Sequence, residues 1–383
     1  MPRSYAGEQA AIFFAADGAT RSLGLLGSPA WVEEPARRVE ARAIDVAFEG
    51  GRAVSATARG EVRIRTQEAA ARSGRAAIAF APGGDVETME LAERVEISAG
   101  GRSGRAERVV QVPARSVWLL TGGPGSSATV EDDGARVSAA RIELTRVPEG
   151  LRAEGNARAV FVGKPGEPRA PTLVGDPGKP THGKAERMVF DQTARTAHLS
   201  GGASLWQGES SLFADDITLN DAARTVVAVG HVRALLERPP AGRGAGAPTR
   251  STITARRMIY QDAGGTATFE DGVSIVRGSW RARAQRGAAY FAGEPQRRIE
   301  RVELVGSVEV HDAAAGRDAT AEKATDYPAE GRTVLEGKPA RVSDRDGNRV
   351  AGATLTIRDR GRSVEVTAPE GGKTETIHRT KPS

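Results

Sequence analysis

The sequence predicts an all-β protein, folded as an elongated open β-jellyroll built from about eleven two-strand repeats. Two observations carry this prediction. Apolar residues alternate with polar or small ones, which is the period-two pattern of strands with one buried face. Turn segments rich in Gly, Asp, Glu and Asn recur between these alternating stretches, and helical i, i+3, i+4 spacing is not sustained anywhere.

The first half of the repeat reads small, any, any, apolar, any, apolar, and a polar turn such as Asp191-Gln192-Thr193-Ala194-Arg195 follows it. Its copies are Ala41–Ile44–Val46, Ala139–Ile142–Leu144, Ala185–Met188–Phe190, Ala214–Ile217–Leu219, Ala255–Met258–Tyr260 and Gly352–Leu355–Ile357. This spacing places the apolar residues on one side of a strand.

The second half of the repeat reads apolar, any, Gly, any, apolar, any, apolar. Its central glycines are Gly60, Gly155, Gly201, Gly230 and Gly306. Glycine inside a strand commonly marks a bulge or a sharp bend. The pattern therefore predicts that the chain turns a corner in every repeat, and that stacked repeats form two facing sheets, each repeat adding one rung to each sheet. A β-helix with coils of about 20–25 residues fits the longer repeat less well.

Two segments rich in Pro and Gly interrupt the repeats and predict surface loops, at residues 163–183 and 238–250. The expected organisation is β-jellyroll repeats over 1–162, a loop over 163–183, and further jellyroll repeats over 184–383. We expect the two sets of repeats to form one continuous stack.

Composition excludes several classes of function. The chain has 383 residues, Lys+Arg 54 against Asp+Glu 49, and no Cys. The lack of Cys excludes disulfides, thiolate metal sites and cysteine nucleophiles. The positive charge suggests nucleic acid, but the Arg residues do not cluster and no aromatic residues lie among them for base stacking. We expect no nucleic-acid partner.

Nothing in the sequence indicates an enzyme. The histidines are scattered without metal-ligand spacing, and the glycines of residues 242–246 lie in a Pro-rich loop rather than between a strand and a helix. Asp132-Asp133 reads as a turn, and Asp215-Asp216 precedes a strand. We therefore predict no catalytic residues, no metal and no cofactor.

The run from Gly183 to Gly208, continued from Leu212 to Val232, resembles the repeat of the OstA-like family of periplasmic lipopolysaccharide-transport proteins. That family includes LptA, LptC and the soluble N-terminal part of LptD. The resemblance implies a β-jellyroll whose groove holds the acyl chains of lipopolysaccharide or another acylated lipid. It also implies a bridge or chaperone role toward the outer membrane, with other jellyroll proteins joined through edge strands.

The chain departs from the family pattern in its length and in its first residues. It is more than twice as long as the single-jellyroll members, and residues 1–17 contain only a short apolar run, Ala11-Ile12-Phe13-Phe14-Ala15, without the features of an export signal. We expect a periplasmic protein whose signal or anchor lies upstream. A cytoplasmic protein is the alternative.

The candidate lipid-binding residues are the paired inward positions of the repeats. Acyl chains transfer from water to such an apolar surface at about 25 cal/mol per Å², and small side chains keep a groove wide. The candidates are Met188, Phe190, Leu199, Leu205, Ile217, Leu219, Val232, Met258, Tyr260, Phe269, Ile275, Leu304, Val308 and Val310.

Other interpretations stay open at this point. The same residues also suit a dry packed core, as in a structural β-repeat filament or adhesin, and a β-helix enzyme acting on polysaccharide is a further alternative. A lipid carrier needs an open apolar trough between its sheets, whereas a filament needs a closed core. No pattern singles out which Arg residues, if any, contact lipid phosphate.

Overall fold

The computed structural model describes residues 4–132, 134–146, 148–162, 179–238, 249–292, 298–358, 363–368 and 374–377. Nearly all of these lie in β-strands, and the one helical element among them is a single 3-10 turn, Pro113–Arg115. The all-β prediction is confirmed. Within the described ranges, no helix is long and apolar enough to span a membrane.

The chain forms two compact units. The first contains residues 1–162 and 184–195, and the second contains residues 163–183 and 196–383. The expected division into repeats 1–162 and 184–383 stays a prediction.

The strands lie as follows. The early strands are β1 (Ser4–Ala6), β2 (Gln9–Phe14), β3 (Thr20–Glu34), β4 (Arg37–Glu49), β5 (Arg52–Thr66), β6 (Ala69–Phe80), β7 (Val86–Ala99), β8 (Arg102–Val112), β9 (Val117–Thr121), β10 (Ala128–Asp132), β11 (Ala135–Ala139), β12 (Arg141–Arg146), β13 (Glu149–Phe161) and β14 (Thr181–Asp191). The later strands are β15 (Thr196–Gln207), β16 (Ser210–Asn220), β17 (Thr225–Arg238), β18 (Thr249–Gln261), β19 (Thr266–Arg277), β20 (Trp280–Ala292), β21 (Arg298–Asp312), β22 (Arg317–Tyr327), β23 (Arg332–Asp344), β24 (Arg349–Arg358), β25 (Ser363–Thr367) and β26 (Glu375–Ile377).

Most long strands carry an interruption near their middle. β4 and β5 pair antiparallel, but their register shifts between Glu40 and Ala43. On the β5 side the interruption falls at Gly60 (φ 78°) and Glu61 (φ 52°). Glycine adopts such positive φ values at little cost, which explains its place in the repeat. The predicted irregularity at the repeat glycines is confirmed, and the pair Gly230 and His231 repeats it in the second unit.

Each interruption divides a strand into two arms, and the arms build two layers. In the first unit, layer 1 contains residues 9–14, 20–26, 43–49, 52–59, 75–80 and 86–92, and layer 2 contains residues 4–6, 30–34, 37–41, 62–66, 69–73 and 95–99. The expectation of one rung per repeat in each sheet is wrong. Each half-repeat is one long strand that passes through both layers, because the bend lies within the strand rather than at the turn.

The core lies between the arms and follows the alternation in the sequence. In β16, Leu212, Ala214, Ile217 and Leu219 are buried while their neighbours are more exposed. Many buried positions are alanine, which suits the close approach of the layers and the low aromatic content of 4%.

The predicted loops are shorter than expected where their ends are described. Residues 163–178 and 239–248 lie outside the described residues. Thr181 already begins β14, directly after Pro180, whose ring nitrogen has no hydrogen to donate to a strand ladder. Arg238 belongs to β17, and β18 begins at Thr249.

Candidate functional site

A cavity opens between the two layers of the first unit. About 800 Å³ at this place is free of protein atoms, a volume that includes open solvent at the mouth. Twelve of its lining residues have purely hydrocarbon side chains: Leu23, Val32, Val39, Ile44, Val46, Phe48, Ala53, Ala56, Ala58, Ala76, Ile78 and Phe80. The others are Tyr5, Glu34, Arg37 and Thr57.

The floor of the cavity lies near the bends of the strands. Ile44, Ala58 and Ala76 are opposite one another on β4, β5 and β6, and all three are buried. Leu23 and Ile78, also buried, complete the floor. The two alanines leave room above the sheet that larger side chains would fill.

The mouth of the cavity lies at the outer ends of the arms, near the turns. Tyr5 is exposed there, and Phe48 and Phe80 are half-buried. The Arg37 guanidinium carbon lies 5.0 Å from the centre of the Phe80 ring. Because Arg37 belongs to layer 2 and Phe80 to layer 1, this contact spans the mouth.

The charges at the mouth neutralise each other. Arg37 Nε donates to Glu34 Oε2 at 2.8 Å, and Arg37 Nη2 lies 2.7 Å from the same oxygen. Both side chains are only 18% exposed. The lining therefore presents apolar surface with one compensated ion pair, which suits an uncharged hydrocarbon group rather than an ionic ligand.

Ionic contacts also join neighbouring strands of the first unit. In the first unit, Arg108 donates to both carboxylate oxygens of Glu90, at 2.6 and 2.8 Å. These hydrogen bonds lower the pKa of Glu90, since they favour its charged form against the opposing effect of burial. The pair lies outside the cavity lining.

One family model matches part of the chain, outside the residues that line the cavity. Residues 171–225 and 252–361 match the model of the family described as LptA/(LptD N-terminal domain) LPS transport protein. The matched residues, which are less than half of the chain, resemble the OstA-like family. The resemblance seen in the sequence is thereby confirmed. This is a family of transport proteins rather than of enzymes, and the chain is a lipopolysaccharide-transport-related β-protein.

No curated protein matches the sequence. A solved structure from Pseudomonas aeruginosa, LptH, is described as the LptA homologous periplasmic component of the conserved lipopolysaccharide transport device. It is 17% identical, with a TM-score of 0.30, and the alignment covers 34% of this chain and 95% of that one. At this level the likeness carries no argument.

The candidate lipid-binding residues of this OstA-like chain are mostly packed. Twelve of the fourteen are buried, and only Phe190 and Val310 are half-buried. Phe190 contacts Phe161, with ring centres 5.8 Å apart. None of the fourteen lines the cavity. Their burial fits a packed core, so their role in lipid binding stays a prediction.

Sequence reasoning missed the residues that do line the cavity, although its repeat includes them. The copy Ala41–Ile44–Val46 and the copy beginning at Ala58 both contribute to the lining. The readable signal was the run of small inward residues, Ala53, Ala56 and Ala58, on a single strand. At comparable inward positions β15 and β19 carry larger side chains, such as Leu199 and Phe269, which fill the space.

The four histidines that the structure describes lie on four different strands, β14, β15, β17 and β21. His231 Nδ1 lies 2.9 Å from Asp215 Oδ2, and His311 Nδ1 lies 2.6 Å from Asp318 Oδ1. Both histidines are exposed. Across the part of the chain that the structure describes, no group of three or more acidic or histidine side chains is placed to hold a metal ion.

Proposed function

We propose that this OstA-like protein binds the acyl chains of lipopolysaccharide, or of another acylated lipid, in the cavity of its first unit. It acts in the periplasm as a bridge or chaperone that carries the lipid toward the outer membrane. The observation that supports this most directly is an open, apolar and electrically neutral cavity between the two layers.

The lining of the cavity suits such a ligand, because thirteen of its sixteen residues are aliphatic or aromatic and pockets for apolar ligands have predominantly such linings. Each methylene transferred from water contributes about 0.8 kcal/mol. Burial of about ten methylenes would therefore contribute about 8 kcal/mol before the cost of ordering the chain.

The fourteen inward positions remain part of the proposal as further positions for contact with lipid. Ile217 and Met258 are almost fully buried, so an acyl chain enters there only by displacing packed side chains. The cavity in the first unit needs no such displacement. We therefore assign the first site of lipid binding to the cavity.

A partner surface is proposed at the strand β2. All six residues of β2 are exposed, including Ile12, Phe13 and Phe14 at 43%, 59% and 63%. β2 pairs with β3. Exposed apolar strands at the margin of a sheet favour pairing with a strand of another chain. We assign this surface to another jellyroll protein of the transport system.

Photo-crosslinking tests the lipid site. A benzophenone amino acid replaces Val46 in the cavity, Ala77 on β6 outside the lining, or Ile217 in the second unit, in cells that make lipopolysaccharide. We expect a lipopolysaccharide adduct from position 46 and none from position 77. Adducts from position 217 as well would extend the site to the second unit.

Absence of adducts from both 46 and 217 would reject lipid carriage and favour a structural filament with a dry core. The partner surface is tested separately by Phe13→Asp, which we expect to abolish association with the purified jellyroll partner while leaving lipid adducts at position 46 unchanged.

A further inference from the structure

The side-chain contact that joins the two layers at the mouth of the cavity differs from contacts that join them elsewhere in the first unit. Arg102 Nη2 lies 2.5 Å from Glu149 Oε1, and Arg146 Nη1 lies 3.6 Å from Glu68 Oε2. Each of these ion pairs joins an arm end in layer 2 to an arm end in layer 1, as the strand pairing shows. At the cavity, the corresponding contact is the stacking of Arg37 on Phe80.

The ionic partner of Arg37 lies in its own layer. Glu34 ends β3 and Arg37 begins β4, so the ion pair closes the turn between two neighbouring strands. When the two layers separate at the mouth, Arg37 and Glu34 move together and their charges stay paired. The interaction that is lost is the contact with the Phe80 ring. Its loss costs less free energy than leaving a buried charge without its partner.

We propose that Arg37 is a gate for the acyl-chain cavity. In the closed state its guanidinium covers Phe80 across the mouth, as in this structure. In the open state the Arg37–Glu34 pair swings away from Phe80 and admits or releases an apolar chain from the side. This inference rests on the proposed lipid-binding function and adds the residue that sets its rate of exchange.

The gate predicts a kinetic effect rather than a change in affinity. Removing the Arg37 side chain lowers the barrier for both directions, so association and dissociation both accelerate. We expect each rate to rise roughly 2- to 30-fold, which corresponds to about 0.5–2 kcal/mol of cation–π attraction. The dissociation constant should change much less than either rate.

A matched control is the adjacent residue, Arg38. Its guanidinium lies 4.7 Å from the Trp31 ring centre, and its Nε lies 2.8 Å from Glu40 Oε1. Arg38 thus has the same kinds of partners as Arg37. All of them belong to layer 2, and none lines the cavity.

The experiment is stopped-flow fluorescence with N-phenylnaphthylamine, a probe that is uncharged at neutral pH. Arg37→Ala should accelerate binding and release, and Arg38→Ala should leave both rates as in the wild type. Since the chain has no Cys, the double variant R37C/F80C can be joined specifically by a bifunctional maleimide, and we expect the joined protein to stop exchanging probe. Circular dichroism confirms that each variant is folded.

The gate is overturned if Arg37→Ala leaves both rates unchanged in a folded protein, or if the joined variant exchanges probe as fast as the unjoined one. Probe binding by the wild type with unchanged variant rates rejects the gate alone. A wild type that binds no probe rejects the proposed cavity function together with the gate.

Discussion

Filling the cavity with one side chain should abolish most lipid binding without unfolding the protein. Ala56 lies on β5 opposite Val46 and Ile78, and all three line the cavity. The substitution Ala56→Phe places an aromatic ring in space that is empty in this structure. If the ring displaces about four methylenes of an acyl chain, binding weakens by about 3 kcal/mol, which is more than about a hundredfold in dissociation constant.

The assay is displacement of N-phenylnaphthylamine by purified lipopolysaccharide, with thermal unfolding measured on the same samples. The control is Ala77→Phe, which adds the same ring on the neighbouring strand outside the cavity lining. We expect A77F to bind like the wild type. The reasoning is refuted if A56F, folded and with an unchanged melting temperature, binds lipopolysaccharide within threefold of the wild type.

Three further outcomes follow from the structure. Met258→Ala should lower the free energy of unfolding by about 2–5 kcal/mol in urea titrations, because Met258 is 1% exposed, and probe affinity in the first unit should not change. Gly230→Val should destabilise the protein by at least about 1–3 kcal/mol, since Gly230 has φ 78° and an added Cβ would approach Asp215 Oδ2 to 2.1 Å; an unchanged melting temperature would contradict this. Pairing with Arg108 lowers the pKa of Glu90, so it stabilises the fold at a pH above the pKa that a glutamate has in the unfolded chain. This stabilisation is lost as the pH falls through the folded-state pKa. Arg108→Gln should therefore weaken the dependence of the melting temperature on pH in the acidic range, and the lost stabilisation should be at most about 1 kcal/mol because the pair is exposed.

The sequence was sufficient to predict the class of fold because strands and bends are encoded by residues that are close together in the chain. Alternation identifies strands, and Gly60 and Gly230 identify the bends, since positive φ selects glycine at a position fixed within the repeat. The sequence did not show that each strand serves both layers. That depends on whether the bend lies inside a strand or at its turn, and both arrangements have the same periodicity.

The location of the cavity was missed for a different reason. The paired inward positions of the repeats mostly carry large side chains, such as Met188 and Leu205, which are buried and fill their own space. A cavity forms where inward residues are small on several adjacent strands at once, as at Ala58 and Ala76. Strand pairing, which sequence alone did not supply, decides which small residues meet.

Because β4, β5 and β6 each run through both layers, β5 is joined to each of its two neighbours by backbone hydrogen bonds on both sides of its bend. Rotation about the bends of β4, β5 and β6 would therefore widen the mouth while each layer keeps its own ladder intact. The free-energy cost of opening then comes from the side-chain contacts that break between the layers. The bends act as hinges, and the paired backbone on either side of them stays rigid. Since each strand is hydrogen-bonded to the next, outward movement of one arm would also move the arm beside it. The mouth would then widen across several strands without loss of backbone hydrogen bonds.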